Sequence, residues 1–289
     1  MIKLSILIPT LNVCQMLKAC LESIKQFTPD GTYEIIIADN ASSDGTLKML
    51  EANFPDIRVL ASDKNEGFTK PVNRLLKEAR GGFIVLLNPD TLLIEDVFGP
   101  QLEWLAENRQ AGICIPKVLN SDGTFQAQSK RGDAKPAAVF GYFLRLGKLF
   151  PQNRALNSYL MSWLDEDEIA EVDAVSGSCM IIRRECWEEV GDFDETFFAY
   201  QEDSDYCIRA RKAGWKVMFV PISSIIHYGG QGGSGARPFK SIWEWHRSYF
   251  VLYKKHFARE HFFLFNWFYY AMMGLKLVFS LLANVFKKR

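Results

Sequence analysis

LSILIP, at residues 4–9, is a short apolar run rich in branched side chains. Such a run is typical of a strand buried on both faces of a parallel sheet. Outward from it, the pattern recurs in YEIIIA at 33–38, in 57–61 and in FIVLL at 83–87. Stretches with helical spacing alternate with these runs, at 17–27, 46–52 and 69–79. The alternation predicts an α/β fold with a doubly wound, mostly parallel sheet and helices on both faces.

The later part of the chain is less regular at first and then returns to the same alternation. Residues 120–169 predict loops and short helices, with a basic stretch at 130–132. Strand character follows at 172–182 and 216–221, and helices are predicted at 184–190 and 202–213.

Polar side chains gather where the predicted strands end. In a doubly wound sheet, ligands bind beyond the carboxyl ends of the strands, so these positions mark a candidate site. The polar residues at the strand ends are Thr10, Asn12, Asp39, Asn40, Asn65, Asn88 and Asp90.

Two carboxylates of this set have a specific chemical interpretation. Asp90 follows a proline turn and is a plausible ligand for Mg²⁺ or Mn²⁺, which prefer oxygen, although it could simply cap the next turn. Asp39, after the second strand, could accept a hydrogen bond from a nucleobase N–H, or could cap a turn.

His227 follows the last predicted strand and precedes YGGQGG at 228–233. It could bind a metal or a phosphate, and the glycines could form a lid over the site. A purely structural histidine is the alternative. The chain contains no GxxxxGK[ST], and no GxGxxG follows the first strand, so neither a nicotinamide site nor a P-loop is predicted.

Glu202 and Asp203 open the predicted helix after FFAYQ. Either could act as a general base for an acceptor hydroxyl, and apolar neighbours could raise its pKa. Acids at a helix N-terminus are also favoured by the helix dipole alone.

The charge is unevenly distributed along the 289 residues. Residues 236–289 carry ten Lys or Arg and two acids, which leaves 24 basic and 32 acidic residues elsewhere. A basic tail on an acidic body suggests contact with an anionic surface, and its apolar content favours a membrane over nucleic acid.

The tail contains an apolar stretch, 262–286, whose only charge is Lys276. Lys276, Ser280 and Asn284 recur every four residues, which favours a helix lying in the membrane interface. A membrane span and an ordinary protein contact stay open. The aromatic and basic segment 243–257 supports membrane contact. Six scattered cysteines and the lack of a secretory signal fit a reducing cytosol.

Five motifs together resemble glycosyltransferase family 2, whose fold is called GT-A. They are SILIPTLN, IIIADNASSDGT at 35–46, NEGFTKPVN at 65–73, LLNPDT at 86–91 and the segment 177–217. The resemblance covers roughly residues 2–230 and implies metal-dependent, inverting transfer of a sugar from a nucleotide diphosphate donor. The NPD form and FFAYQEDSDYCIR most resemble rhamnosyltransferases of bacterial surface polysaccharide assembly.

The resemblance also implies roles for individual residues. Asp203 or Glu202 would be the catalytic base, and Asp90 with His227 would hold Mg²⁺ or Mn²⁺. The chain departs from the family's DxD motif because Asn88 stands at the first acid, which lowers the ligand charge by one. The implied nucleotide-binding residues are Pro9, Thr10, Asn12, Asp39, Asn40, Asn65, Gly67, Phe68, Asn73 and Asn88.

The expected organisation is a GT-A domain over 1–235 and a helical, membrane-associating tail over 236–289. Within the domain, 1–118 would bind the nucleotide and 119–235 the acceptor, a saccharide or a polyprenyl-linked sugar. The expected location is the cytoplasmic face of the inner (plasma) membrane, peripheral or with a single C-terminal anchor.

Two other classes compete with this interpretation. A nucleotidyltransferase would need a basic, Gly-rich loop after the first strand, where this chain has TLNV at 10–13. A non-catalytic nucleotide-sugar-binding or scaffold protein with a degenerate metal site is the second alternative, because of the Asn in NPD.

Overall fold

The computed structural model describes residues 3–29, 31–230 and 238–287, excluding the side chain of Lys287. Gln231, Gly232 and Gly233 of the predicted lid lie outside the described residues, as do Lys288 and Arg289.

Four parallel strands form the N-terminal half of the central sheet, in the order β3-β2-β1-β4. They are β1 (Leu4–Thr10), β2 (Tyr33–Asp39), β3 (Arg58–Ala61) and β4 (Phe83–Leu87). The register pairs Thr10 with Asp39, so the polar ends of β1 and β2 lie side by side. All seven residues of β1 are buried, as its apolar sequence predicts.

Five further strands extend the sheet: β5 (Thr91–Leu93), β6 (Ala111–Leu119), β8 (Ala170–Glu171), β10 (Cys179–Arg183) and β11 (Lys216–His227). The strand order is β3-β2-β1-β4-β10-β6-β11-β5, and β8 pairs with β11 outside this order. β10 runs antiparallel between β4 and β6, and β11 pairs with β6 in parallel and with β5 and β8 antiparallel. A separate small sheet pairs β7 (Lys130–Arg131) with β9 (Ala174–Val175). The predicted α/β fold is confirmed, and β10 makes the sheet mixed.

Helices surround the sheet. They are α1 (Cys14–Phe27), α2 (Thr46–Asn53), α3 (Thr69–Glu78), α4 (Phe98–Glu107), α5 (Pro136–Phe143), α6 (Leu146–Leu149), α7 (Arg154–Asn157), α8 (Arg184–Val190) and α9 (Glu202–Lys212). Leu17, Cys20, Leu21 and Ile24 recur on one face of α1 and are fully buried, which fixes that helix against the sheet. α4, β5 and β6 were not predicted from the sequence.

Two more helices complete the chain: the penultimate helix, Pro238–His256, and the C-terminal helix, Phe263–Lys287. They join α5 in a second apolar core, in which the rings of Tyr253 and Tyr269 stack with centroids 4.0 Å apart. The tail is therefore packed onto the body of the protein.

The polar side of the C-terminal helix faces the protein. Lys276 Nζ lies 3.3 Å from His246 Nε2, and Ser280 Oγ lies 3.4 Å from the same atom. Asn266 bonds to Tyr253 and to the backbone that precedes the helix. The polar stripe therefore reflects packing against the penultimate helix, which removes the reason for which the sequence favoured an interfacial orientation.

The opposite side of the C-terminal helix is apolar and exposed, with Trp267 72% and Phe279 68% accessible. By length and composition, Phe263–Phe286 is sufficient to cross a membrane, and little of it is buried in the protein. The same feature suits a helix whose outer side lies in lipid.

Candidate active site

A cavity of about 520 Å³ opens where β1 and β4 end. Both halves of the chain line it, together with the penultimate helix. The predicted site residues in its wall are Pro9, Thr10, Asn40, Asn65, Gly67, Phe68, Asn88, Asp90, Glu202, Asp203 and His227. One cavity therefore brings together most of the residues that the sequence singled out.

A hydrogen-bonded turn that contains Asn65 and Gly67 shapes one side of the cavity. The Asn40 side chain donates to Asn65 Oδ1 at 3.1 Å and to the Gly67 carbonyl at 2.6 Å, and accepts from the Glu66 amide at 2.9 Å. Gly67 has φ +89°, and a Cβ there would clash with the Phe198 carbonyl oxygen. Only glycine fits this position, which is why the turn carries it.

Asp39 is fully buried at the end of β2 and is not part of the lining that the described residues form. Its Oδ2 accepts a hydrogen bond from the Ser42 amide at 3.0 Å. Its Oδ1 has no partner among the described residues, and neither has the neighbouring buried hydroxyl of Thr10. Buried polar atoms are normally paired, so these two atoms remain candidates for contact with a nucleobase.

Asn12 and Asn73 were predicted to contact the nucleotide, but they are absent from the cavity lining in the described chain. Asn12 Oδ1 accepts from the Ser43 amide at 2.7 Å. Asn73 bonds at both ends of its amide to the Phe193 backbone, at 2.9 Å each. Asn73 therefore holds a loop, and its contact with the nucleotide stays a prediction.

His227 presents one ring nitrogen to the cavity. Gln126 donates through Nε2 to Asn120, so its Oε1 is the acceptor that faces His227 Nδ1 at 2.8 Å. The proton of the neutral ring therefore lies on Nδ1, and Nε2 keeps a lone pair. Nε2 lies 3.3 Å from Asp90 Oδ1 and accepts from the Asn88 amide at 3.2 Å.

This donor set fits a single divalent cation. A carboxylate oxygen and an imidazole nitrogen converge, and an outer partner fixes the imidazole tautomer, as in metal sites generally. In residues 3–29, 31–230 and 238–287 no three His, Cys, Asp or Glu side chains cluster as ligands. Asp90 and His227 would therefore supply two protein ligands and leave positions for phosphate oxygens.

Glu202 and Asp203 differ sharply in their surroundings. Asp203 Oδ2 accepts from Arg131 at 2.6 Å and from the Gly177 amide at 3.2 Å, and its Oδ1 accepts from the Ser204 amide at 2.6 Å. Glu202 Oε2 is buried and has no partner among the described residues. Burial, together with the negative charge of Asp203, raises the pKa of Glu202 to about 8. The surroundings of Glu202 therefore favour its protonated form.

The sequence did not identify several residues of the cavity. Arg131 stands in the basic stretch at 130–132, but nothing indicated that it pairs with Asp203. Gln126 gave no signal. Lys240, Trp245 and Tyr249 line the cavity from a segment that the sequence assigned to membrane contact. Their aromatic and basic character was visible, but the long-range packing that turns them inward was not.

The mostly parallel sheet, with helices around it and a cleft at its strand ends that holds Asp90, His227 and Glu202, has the architecture of a GT-A fold. The family model for glycosyl transferase family 2 matches residues 5–188, and the chain belongs to that family.

Two curated relatives are similar over most of the chain. The N-acetylglucosaminyl-diphospho-decaprenol L-rhamnosyltransferase of Mycobacterium tuberculosis is 29% identical over 229 residues, 75% of this chain and 73% of the relative. The low-salt glycan biosynthesis hexosyltransferase Agl10 of Haloferax volcanii is 27% identical over 203 residues, 68% of this chain and 59% of the relative.

Solved structures agree on the fold. The mannosyltransferase PcManGT of Pyrobaculum calidifontis, in complex with GDP-Man and Mn²⁺, superposes with a TM-score of 0.58 and 17% identity, covering 96% of this chain and 72% of that one. GalNAc-T7 with UDP, GalNAc and Mn²⁺ gives a TM-score of 0.62 and 17% identity, covering 88% and 48%.

Proposed function

We propose that the chain is an inverting glycosyltransferase that moves a sugar, with rhamnose the first candidate, from a nucleotide diphosphate donor to a lipid-linked saccharide. One observation carries the proposal: a single cavity holds the Asp90–His227 pair and Glu202, whose buried Oε2 has no partner among the described residues. The mycobacterial relative, named as a rhamnosyltransferase that acts on a decaprenol-linked sugar, supports the choice of sugar and acceptor.

The donor would lie along the ends of β1, β2 and β4. Asp39 and Thr10 would receive the base, and the turn of Asn40, Asn65 and Gly67 would shape the wall beside it. Asp90 Oδ1 and His227 Nε2 would hold Mg²⁺ or Mn²⁺. Such an ion, when bound, supplies positive charge that stabilises the departing nucleotide diphosphate.

Glu202 would remove the proton from the acceptor hydroxyl. As that oxygen forms its bond to the anomeric carbon, the bond from this carbon to the diphosphate oxygen breaks on the opposite face. The proton goes to the Glu202 carboxylate and the electron pair leaves with the nucleotide diphosphate. One displacement inverts the configuration. Arg131 donates to Asp203 and would hold that second acid in place next to the base.

A lipid-linked saccharide acceptor would be held in a membrane by its lipid. The outward side of the C-terminal helix would lie in the cytoplasmic leaflet of the inner membrane, and the basic residues of the tail would meet anionic headgroups.

Donor turnover tests the reaction. Hydrolysis and transfer are measured over a panel of nucleotide diphosphate sugars with Mn²⁺, Mg²⁺ or EDTA, on the wild type, on Asp90→Ala and on Asp56→Ala, an exposed carboxylate outside the site. We expect one donor to be turned over with metal, activity to collapse in Asp90→Ala, and Asp56→Ala to behave as the wild type.

Calorimetry separates the enzyme from the scaffold alternative. Nucleotide binding without turnover of any donor, with prenyl-linked sugars supplied as acceptors, would favour the scaffold. No turnover together with no metal-dependent nucleotide binding would overturn the donor site as well.

A further inference from the structure

The penultimate helix forms a wall of the cavity although it lies beyond the segment that the family model matches. Lys240, Glu244, Trp245 and Tyr249 are its contributions. The proposed chemistry of donor and base uses none of these side chains, so the wall calls for a function of its own.

The wall continues into an aromatic lining close to the base. The Trp245 and Tyr249 rings lie 4.5 Å apart, and the Tyr249 hydroxyl shares a hydrogen bond with Tyr159. The Tyr159 hydroxyl in turn accepts from Gln201, the residue before Glu202, at 3.5 Å. Trp245 is half-buried and lines the cavity, and Lys276 Nζ lies 4.2 Å from the centroid of its indole ring. The ring is therefore fixed and part of it remains open to a ligand.

Buried polar atoms accompany the aromatic rings. Gln201 is 4% exposed, lines the cavity, and its Oε1 has no partner within the described chain. Glu202 Oε2 and Arg131 Nε are also buried and have no partner within the described chain. An amide oxygen, a carboxylate and a guanidinium N–H suit neighbouring hydroxyl groups, because each hydroxyl both donates and accepts. The ligand that matches is one with an apolar C–H face and a polar rim, a pyranose ring.

We propose that the penultimate helix supplies the acceptor-sugar subsite, with Trp245 as the stacking platform and Gln201 beside Glu202 as the polar edge. This inference rests on the proposed function and specifies where its acceptor binds. His246, next to Trp245, bonds to Lys276 and Ser280 of the C-terminal helix. The subsite and the outward apolar side thus belong to one helix pair, which suits an acceptor with a sugar head and a prenyl chain.

Saturation-transfer NMR tests the subsite directly. Methyl glycosides of N-acetylglucosamine, glucose, galactose and mannose are offered to the protein, and the variants are Trp245→Ala, Trp245→Phe and Trp243→Ala. Trp243 is the matched control, since it is exposed on the same helix and outside the cavity lining. Loss of one aromatic contact of about 1.5 kcal/mol corresponds to roughly tenfold weaker binding.

We expect at least one glycoside to bind the wild type and Trp243→Ala equally, to bind Trp245→Ala about tenfold more weakly, and to retain most of its affinity for Trp245→Phe. No binding of any glycoside to the wild type, or unchanged binding to Trp245→Ala, overturns the subsite. The Phe variant shows that a loss reflects the ring and not misfolding.

A second arm distinguishes the sugar from its lipid. N-acetylglucosamine linked through diphosphate to a short prenol is compared with the methyl glycoside. If both probes lose affinity for Trp245→Ala by the same factor, this result supports the sugar as the group that is recognised. If only the prenyl-linked probe keeps its affinity for Trp245→Ala, the prenyl group is what this subsite binds, which contradicts the proposal. Nucleotide binding is measured separately, and it would be absent only if the proposed donor site is wrong.

Discussion

Arg131 Nη2 and Asp203 Oδ2 form a buried ion pair at 2.6 Å. Because of this pair, the adjacent acids Glu202 and Asp203 have different surroundings. Asp203 is saturated by donors from Arg131, Gly177 and Ser204. Glu202 is left with a buried oxygen that no described residue satisfies. A carboxylate that already accepts several hydrogen bonds is a weak proton acceptor, so the geometry favours Glu202 as the base.

Glu202→Gln should abolish transfer without weakening nucleotide binding. Loss of a general base typically costs about 10²–10⁴-fold in rate. Because the pKa of Glu202 is raised to about 8, the wild-type transfer rate should climb as the pH rises towards that value. Steady-state kinetics between pH 6 and 9 measure both effects. A pH profile of the wild type that is flat over this range would contradict the assignment.

The same substitution should stabilise the protein at high pH. A carboxyl group whose folded pKa lies above its ordinary value of 4.5 binds more protons when folded, so stability falls as pH rises from there through about 8. Gln carries no such penalty. In metal-free buffer at pH 9, Glu202→Gln should melt above the wild type, and at pH 4 the two should coincide. Asp203→Asn should melt lower at pH 9, because it leaves Arg131 buried and unpaired.

Gln126→Leu should weaken metal binding although Gln126 would not touch the ion. It removes the acceptor that fixes the Nδ1–H tautomer of His227. Loss of such an outer partner typically costs about 10–100-fold in metal affinity. Titration of Mn²⁺ in the presence of a nucleotide diphosphate, followed by electron paramagnetic resonance, measures this. Gln128→Leu, a nearby cavity residue without this bond, is the comparison, and an equal loss there would count against the role of Gln126.

Asp205→Asn should destabilise the fold severely. Asp205 is fully buried and joins α9 to the penultimate helix through Lys255 at 2.7 Å and His256 at 2.6 Å, with Arg209 at 2.9 Å. Burial alone would raise its pKa, but the hydrogen bonds from His256 and Lys255 lower the pKa of Asp205 to about 2. Breaking a buried pair costs about 3–5 kcal/mol.

Urea unfolding of Asp205→Asn measures that cost. The effect should be present at and above pH 4 and fade as pH falls through about 2, because the native carboxylate is then protonated. Glu22→Gln breaks the exposed pair with Lys18 and should cost less than about 1 kcal/mol. Similar losses in the two variants would refute the distinction.

Charge on the outward side of the C-terminal helix should abolish binding to lipid. Leu275 and Phe279 lie one turn apart and are 53% and 68% exposed. Leu275→Glu/Phe279→Glu should release the protein from phosphatidylglycerol-containing vesicles in a sedimentation assay. Leu47→Glu, at an exposed apolar position on α2, should bind as the wild type does. Vesicle binding by the double variant equal to the wild type would exclude this side as the lipid contact.

The first four strands were accessible from the sequence because their signals are local. Each parallel strand is an unbroken apolar run followed by polar residues, and the sheet brings those ends together. The bounds of α8 and the start of α9 followed from the same patterns. β10 was recognised as a strand, but its antiparallel place between β4 and β6 depends on pairing between residues far apart in the chain.

Several contacts in the later part of the chain escaped prediction for the same physical reason. Arg131 meets Asp203 across 72 residues, and Gln126 meets His227 across 101. Trp245 and Lys276 have the composition of a membrane surface, yet both are turned towards the protein. Composition showed that the tail is amphipathic, but not which side the protein occupies.

The polar side of the C-terminal helix packs against the protein, so its outward side is apolar and its contact with water is unfavourable. In aqueous buffer without detergent, the strip that includes Trp267 and Phe279 would find the nearest apolar surface, most simply the same strip on a second chain. Self-association in such a preparation would then be a consequence of the aqueous buffer. Its disappearance in mild detergent would distinguish an artefact of purification from an assembly present in the cell.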